Sequence, residues 1–181
     1  RMERIDGSRP TPKEAINRGF AMATGDVIGW LNAKNVLLGK SLFTVAEIFS
    51  TNKEVSWITG LNAVIDDEYK VVRVVIGGRK TKYDFWTGRW NIIQQESTFW
   101  RKKLWDDAGG GLDMKFEWSF DTALWCKFFR IADLYEIDTV FGAYNEIRGV
   151  SLSGDEPQLH KKQNEAILTA FYKTASSKEK L

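Results

Sequence analysis

The sequence predicts an α/β fold, a mainly parallel sheet with helices on both faces, and three stretches carry that prediction. Residues 27–31, Val-Ile-Gly-Trp-Leu, form a short apolar run bounded by turn formers, the pattern of a strand buried on both faces. Before it, Thr11-Pro12-Lys13-Glu14 makes a capping box with proline at the first helical position. Ala15, Ile16, Phe20 and Ala23 then recur at helical spacing, and Gly25 suits a left-handed stop. The third stretch, residues 71–76, is a β-branched run that can pair back onto residues 55–65 across the turn Asp66-Asp67-Glu68.

The remaining elements follow in order. Residues 1–10 are polar and irregular. A second helix is predicted over residues 40–50, with Leu42, Val45, Ala46 and Phe49 as its apolar stripe. Gly77-Gly78-Arg79-Lys80 ends the 71–76 strand, and the aromatic, basic residues 82–90 read as a loop or short helix lying over the site. Residues 92–100 return into the sheet, and a short helix over 101–108 is closed by Gly109-Gly110-Gly111. A helix is predicted over 119–131, then short strands over 134–137 and 140–144. Asp155-Glu156-Pro157 opens a last helix over 155–173, and the charged tail 175–181 frays. The whole chain, 1–181, reads as a single domain.

Composition narrows the function. Apolar residues make up 43% of the chain, enough for a real core. The net charge of +2 comes without a basic block, which argues against a dedicated nucleic-acid binder. A lone cysteine, Cys126, excludes an internal disulfide and suits a reducing compartment. No run approaches the ~20 apolar residues of a membrane span, and no signal peptide is visible. The expected location is therefore cytoplasmic, with peripheral membrane association still open. Eight tryptophans either fill the core or offer flat faces to sugars. Trp118, beside a polar and acidic stretch, is the best candidate for the second role.

Two ordered sets of short motifs resemble a known family. The first is Lys13-Glu14-Ala15-Ile16-Asn17-Arg18-Gly19-Phe20, followed by Ala23-Thr24-Gly25-Asp26-Val27-Ile28-Gly29-Trp30-Leu31-Asn32. The second is Gln95-Glu96-Ser97-Thr98-Phe99-Trp100-Arg101, Leu104-Trp105, Ala108-Gly109-Gly110, and Asp121 with Leu124-Trp125. From about Thr11 to about Ser153 the chain resembles the inverting family 2 glycosyltransferases of GT-A fold. The resemblance implies sugar transfer from a nucleotide sugar to a saccharide or lipid-linked acceptor, as in polysaccharide biosynthesis. It departs from the family at two places. Relatives carry paired aspartates that hold a divalent metal, Mg or Mn, where Lys34 and Asn35 stand here. Relatives also begin with a nucleotide-binding strand–helix–strand, so the expectation is the later part of a GT-A domain, or a truncated one.

Inverting transfer needs a base for the acceptor hydroxyl and a positive group for the departing diphosphate. Asp121, at the start of a predicted helix whose dipole favours an ionised carboxylate, stands where the resemblance places the base. The plain alternative is a helix-capping aspartate. Glu96, in an apolar run, needs a partner; by resemblance it contacts the acceptor, and Gln95 beside it and the flat face of Trp118 are the other expected acceptor contacts. Lys34 cannot ligate a metal while protonated but pairs with phosphate as a point charge. Asn32, Lys34, Asn35 and, loosely, Arg148 are the expected nucleotide and diphosphate contacts, with no metal site and no cofactor predicted in this chain. His160, with no partner at ligand spacing, reads as a surface residue. The rival reading is a catalytically silent domain that binds a saccharide or a partner on the same fold.

Overall fold

Helix α1 (Pro12–Met22) begins on the expected capping box: the Glu14 N–H donates to the Thr11 hydroxyl, and the Thr11 N–H donates to the Glu14 carboxylate at 2.8 Å. The computed structural model describes residues 10–76, 81–89, 92–145 and 157–175. After α1 come β1 (Val27–Ile28), β2 (Val36–Leu37), α2 (Ser41–Thr51), β3 (Trp57–Thr59), β4 (Asn62–Ile65), β5 (Val71–Val75) and α3 (Lys82–Trp86). A 3-10 turn (Gln95–Ser97) leads into β6 (Thr98–Arg101), α4 (Lys102–Asp107), α5 (Phe120–Phe129), β7 (Leu134–Glu136), β8 (Gly142–Asn145) and α6 (Pro157–Thr174).

The described strands form two four-stranded sheets, β1-β6-β3-β7 and β2-β8-β4-β5. The class is α/β, and both sheets are mixed. Pairing is parallel at β3–β7 and β4–β8 and antiparallel at β1–β6, β3–β6, β2–β8 and β4–β5. The connections explain part of this. A hairpin closes antiparallel strands with a tight turn, whereas a parallel pair needs a long crossover. The Asp66 turn joins β4 directly to β5, with the Lys70 N–H donating to Asp66 Oδ1 at 2.9 Å. Residues 134–145, after α5, return strands to both sheets.

Residues 55–65 are two strands rather than one. The break is at Gly60, where a Cβ would stand 2.6 Å from the Thr139 carbonyl oxygen. That approach lets β3 stay in the first sheet while β4 passes to the second. β2, absent from the sequence prediction, pairs with β8.

The first sheet is covered on both faces. Trp57 of β3 enters a large core with Phe20 of α1, Trp100 of β6, Trp125 and Phe128 of α5, and Ile167 of α6. Its neighbour Ile58 points the other way, into a smaller core with Val45 and Phe49 of α2 and with Phe99 and Phe141. This period-2 split is what an α/β sheet requires. Most of the described tryptophans serve the core. Trp57, Trp86, Trp100, Trp105 and Trp125 are buried, and Trp30 stacks on Trp125 with ring centres 5.9 Å apart. Trp90 lies outside the described residues. Cys126 is also in the core, where burial pushes its thiol up to about 12. Ala175, at the start of the expected tail, is buried against the large core, and 176–181 lie outside the described residues.

Candidate active site

Gln94 builds the first half of the site. Its side-chain amide acts as a piece of strand: the Ala63 N–H donates to Gln94 Oε1 at 2.7 Å, and Gln94 Nε2 donates to the Ala63 carbonyl at 2.7 Å. The same Nε2 donates to Glu96 Oε1, and Gln95 Nε2 donates to Glu96 Oε2 at 2.9 Å. Glu96 is thus held by two amides while only 3% exposed. The 3-10 turn that carries it rests on β8. The Ser97 hydroxyl donates to the Gly142 carbonyl at 2.9 Å, and a Cβ at Gly142 would overlap the Glu96 carbonyl.

Burial pushes the Glu96 carboxyl above the ordinary carboxylate range. Hydrogen bonds from its own backbone, Gln94 and Gln95 oppose the rise, and the charge of Asp121 adds to it. The charge of Asp121 thus reaches Glu96, although the two are far apart in sequence.

Asp121 sits one residue into α5. The cap is Ser119, in the left-handed region at φ +52°, uncommon for a residue other than glycine. Asp121 is half-buried, and the Thr122 N–H donates to its Oδ1 at 2.8 Å. Burial raises its carboxyl, while the Thr122 bond and the His160 side chain pull it down. Helix α6 therefore belongs to the site. The Ser119 hydroxyl donates to the His160 carbonyl at 3.3 Å, and the Trp118 N–H donates to Gln163 Oε1 at 3.0 Å. Trp118 is half-buried, and its indole Nε1 is buried without a hydrogen-bond partner.

The predicted diphosphate contacts divide. Residues 32–35 form a turn closed by the Asn35 N–H donating to the Asn32 carbonyl at 3.0 Å. Asn32 and Lys34 are exposed on it, whereas Asn35 is buried. The carbonyl oxygen of the Asn35 amide accepts the Asn145 N–H at 3.1 Å. Arg148 lies outside the described residues. The donor set at this turn fits a divalent metal poorly, because it offers amide oxygens and an ammonium but none of the carboxylates that supply the charge of such sites. Among the described residues no group of three or more His, Cys, Asp or Glu side chains is placed to hold a metal ion.

Sequence reasoning missed Gln94, Ser119, His160 and Asn145. Gln94 adjoins the motif it supports, so its neighbour's need for a partner was a usable signal. His160 gave none, since its approach to Asp121 depends on how α6 docks.

Three solved structures of TarS from S. aureus share this architecture. The chain matches TarS 1–349 in complex with UDP-GlcNAc at a TM-score of 0.69 and 11% identity, over 97% of the chain and 50% of that structure. It matches TarS 1–349 in complex with UDP at 0.63 and 11%, over 93% and 47%. For TarS the values are 0.56 and 10%, over 89% and 30%. The chain spans about half the length of TarS 1–349. The likeness establishes a glycosyltransferase-like fold. No protein-family model and no curated protein matches the sequence. Among the described residues no helix is long and apolar enough to cross a membrane.

Proposed function

We propose that this chain is a glycosyltransferase domain that moves a sugar from a nucleotide sugar to a saccharide or lipid-linked acceptor by inverting displacement. The observation that supports the reading is a glycosyltransferase-like fold in which the charge of Asp121 reaches the buried Glu96. In this reading the acceptor oxygen attacks the anomeric carbon as the bond to the diphosphate breaks. The hydroxyl proton passes to Asp121, whose raised affinity for protons makes it a stronger base than an exposed aspartate. Glu96 holds the acceptor, fixed by Gln94 and Gln95, with Trp118 beside it. Lys34 meets the diphosphate as a point charge. Residues 32–35 offer no carboxylate to a metal, so in this reading the charge of the leaving diphosphate falls to Lys34. TarS was solved with UDP-GlcNAc and UDP, so uridine diphosphate sugars are the first donors to test. The expected setting is cytoplasmic.

The second reading, a catalytically silent binding domain, is favoured by one observation: residues 32–35 carry no carboxylate. Release of nucleoside diphosphate from a panel of uridine, guanosine and thymidine diphosphate sugars, with and without saccharide acceptors, separates the two. The enzyme reading expects acceptor-dependent release. Saccharide binding with no release from any donor supports the silent domain.

A further inference from the structure

We propose that Asn35 and Asn145 form a subsite for a neutral sugar hydroxyl. Both residues are more than nine-tenths buried, at 7% and 6% exposure. The Asn145 N–H donates to Asn35 Oδ1 at 3.1 Å, which fixes the orientation of the Asn35 amide and turns Nδ2 into a free donor. Asn35 Nδ2 and Asn145 Oδ1 are both buried without a partner. Buried polar atoms without partners are uncommon and costly, so a donor and an acceptor left open on residues joined by a hydrogen bond point to a ligand that supplies both complements.

The chemistry selects among ligands. A hydroxyl accepts from Nδ2 and donates to Oδ1 through one oxygen. A phosphate oxygen satisfies Nδ2 but meets the lone pairs of Oδ1. An ammonium satisfies Oδ1 and leaves Nδ2 open. The location suits a sugar: Asn145 ends β8, Asn35 ends the 32–35 turn beside β2, and the turn carrying Glu96 packs on β8 through Gly142. This assigns Asn35 to a hydroxyl rather than to the diphosphate, and adds Asn145. The choice of a sugar rests on the proposed transferase reading.

The test is a titration of the full chain followed by the side-chain amide signals of Asn35 and Asn145 in 1H–15N NMR spectra. The probes are ribose, N-acetylglucosamine and inorganic pyrophosphate. Ribose or N-acetylglucosamine is expected to shift the Asn35 amide saturably. The responding probe tells a nucleoside ribose from a transferred or acceptor sugar. Asn145→Leu is expected to weaken that binding about tenfold, the scale of one lost hydrogen bond in a buried site, and to leave pyrophosphate binding unchanged. Asn145→Ala removes the same oxygen with a smaller side chain if leucine disturbs folding. An Asn35 amide that ignores both sugars, that responds to pyrophosphate alone, or whose response survives both substitutions overturns the subsite and leaves a buried water as its occupant. The readout needs no turnover. Sugar binding without sugar transfer keeps the subsite and sinks the transferase reading, and transfer without an Asn35 response does the reverse.

Discussion

Glu96 is a carboxylate that folding makes harder to ionise, and this has a consequence for stability. Its raised value means that, above the ordinary carboxyl value of 4.5 and up to its own value in the fold, the native state binds more protons than the unfolded chain. Stability then falls as pH rises through that window, because the slope follows the proton difference between unfolded and native states. The contribution is fully present below 4.5 and is lost above the raised native value. Glu96→Gln removes the titration. The added N–H₂ finds an acceptor in Gln95 Oε1, which is buried and unpartnered, once that amide turns over. Urea midpoints of the variant, measured relative to wild type, are expected to rise as pH increases from 4 towards neutrality. A difference that stays flat with pH contradicts the assigned burial. Lys34 carries the second prediction at this scale. With an ammonium and amides at the 32–35 turn, calorimetric titration with manganese is expected to give no saturable heat. A micromolar site abolished by substituting Asn32 or Asn35 contradicts it, since oxygen ligation without a carboxylate would then suffice.

At the scale of elements, the site depends on how closely the 3-10 turn lies on β8. A Cβ at Gly142 would overlap the Glu96 carbonyl and stand 3.1 Å from the Val36 carbonyl oxygen. The obstacles are backbone atoms of two elements, so neither can swing aside. Gly142→Ala is expected to cost about 3 kcal/mol, at the upper end for overpacking, and to lower the denaturation midpoint accordingly. A loss near zero contradicts the close packing of Glu96 on β8. The same scale shows what was legible in the sequence. α1 was, because its capping box is local chemistry between Thr11 and Glu14. The α5 region was too, as was the pairing of β4 with β5 across the Asp66 turn. The passage of 55–65 between sheets was not, because the reason for the break at Gly60 is the Thr139 carbonyl, far along the chain. β2 was missed because two residues carry no periodicity. The mixed sheets escaped a pattern that reports burial on both faces but not strand direction.

At the scale of the whole molecule, two cores on opposite faces of the first sheet anchor the elements that carry the two carboxylates. Trp57 and Ile58, adjacent in sequence, anchor one core each. α5 carries Asp121 from the large core, and β6, which follows the turn bearing Glu96, contributes to both cores through Trp100 and Phe99. The candidate pair was legible as two separate acids in two motifs. The reach of the Asp121 charge to Glu96 was not, because it needs the docking of α5 against the sheet. If Asp121 is the base of a sugar transfer, its ionisable group is what turnover needs, and wild type is compared with Asp121→Asn under the donor and acceptor that give the highest nucleoside diphosphate release. The substitution keeps an oxygen for the Thr122 N–H and removes the ionisable group, so circular dichroism is expected to show an unchanged fold. Transfer is expected to fall by about 10²–10⁴, the usual reach of a general base. A folded Asp121→Asn that transfers sugar at the wild-type rate contradicts the account and leaves Asp121 a helix-start carboxylate.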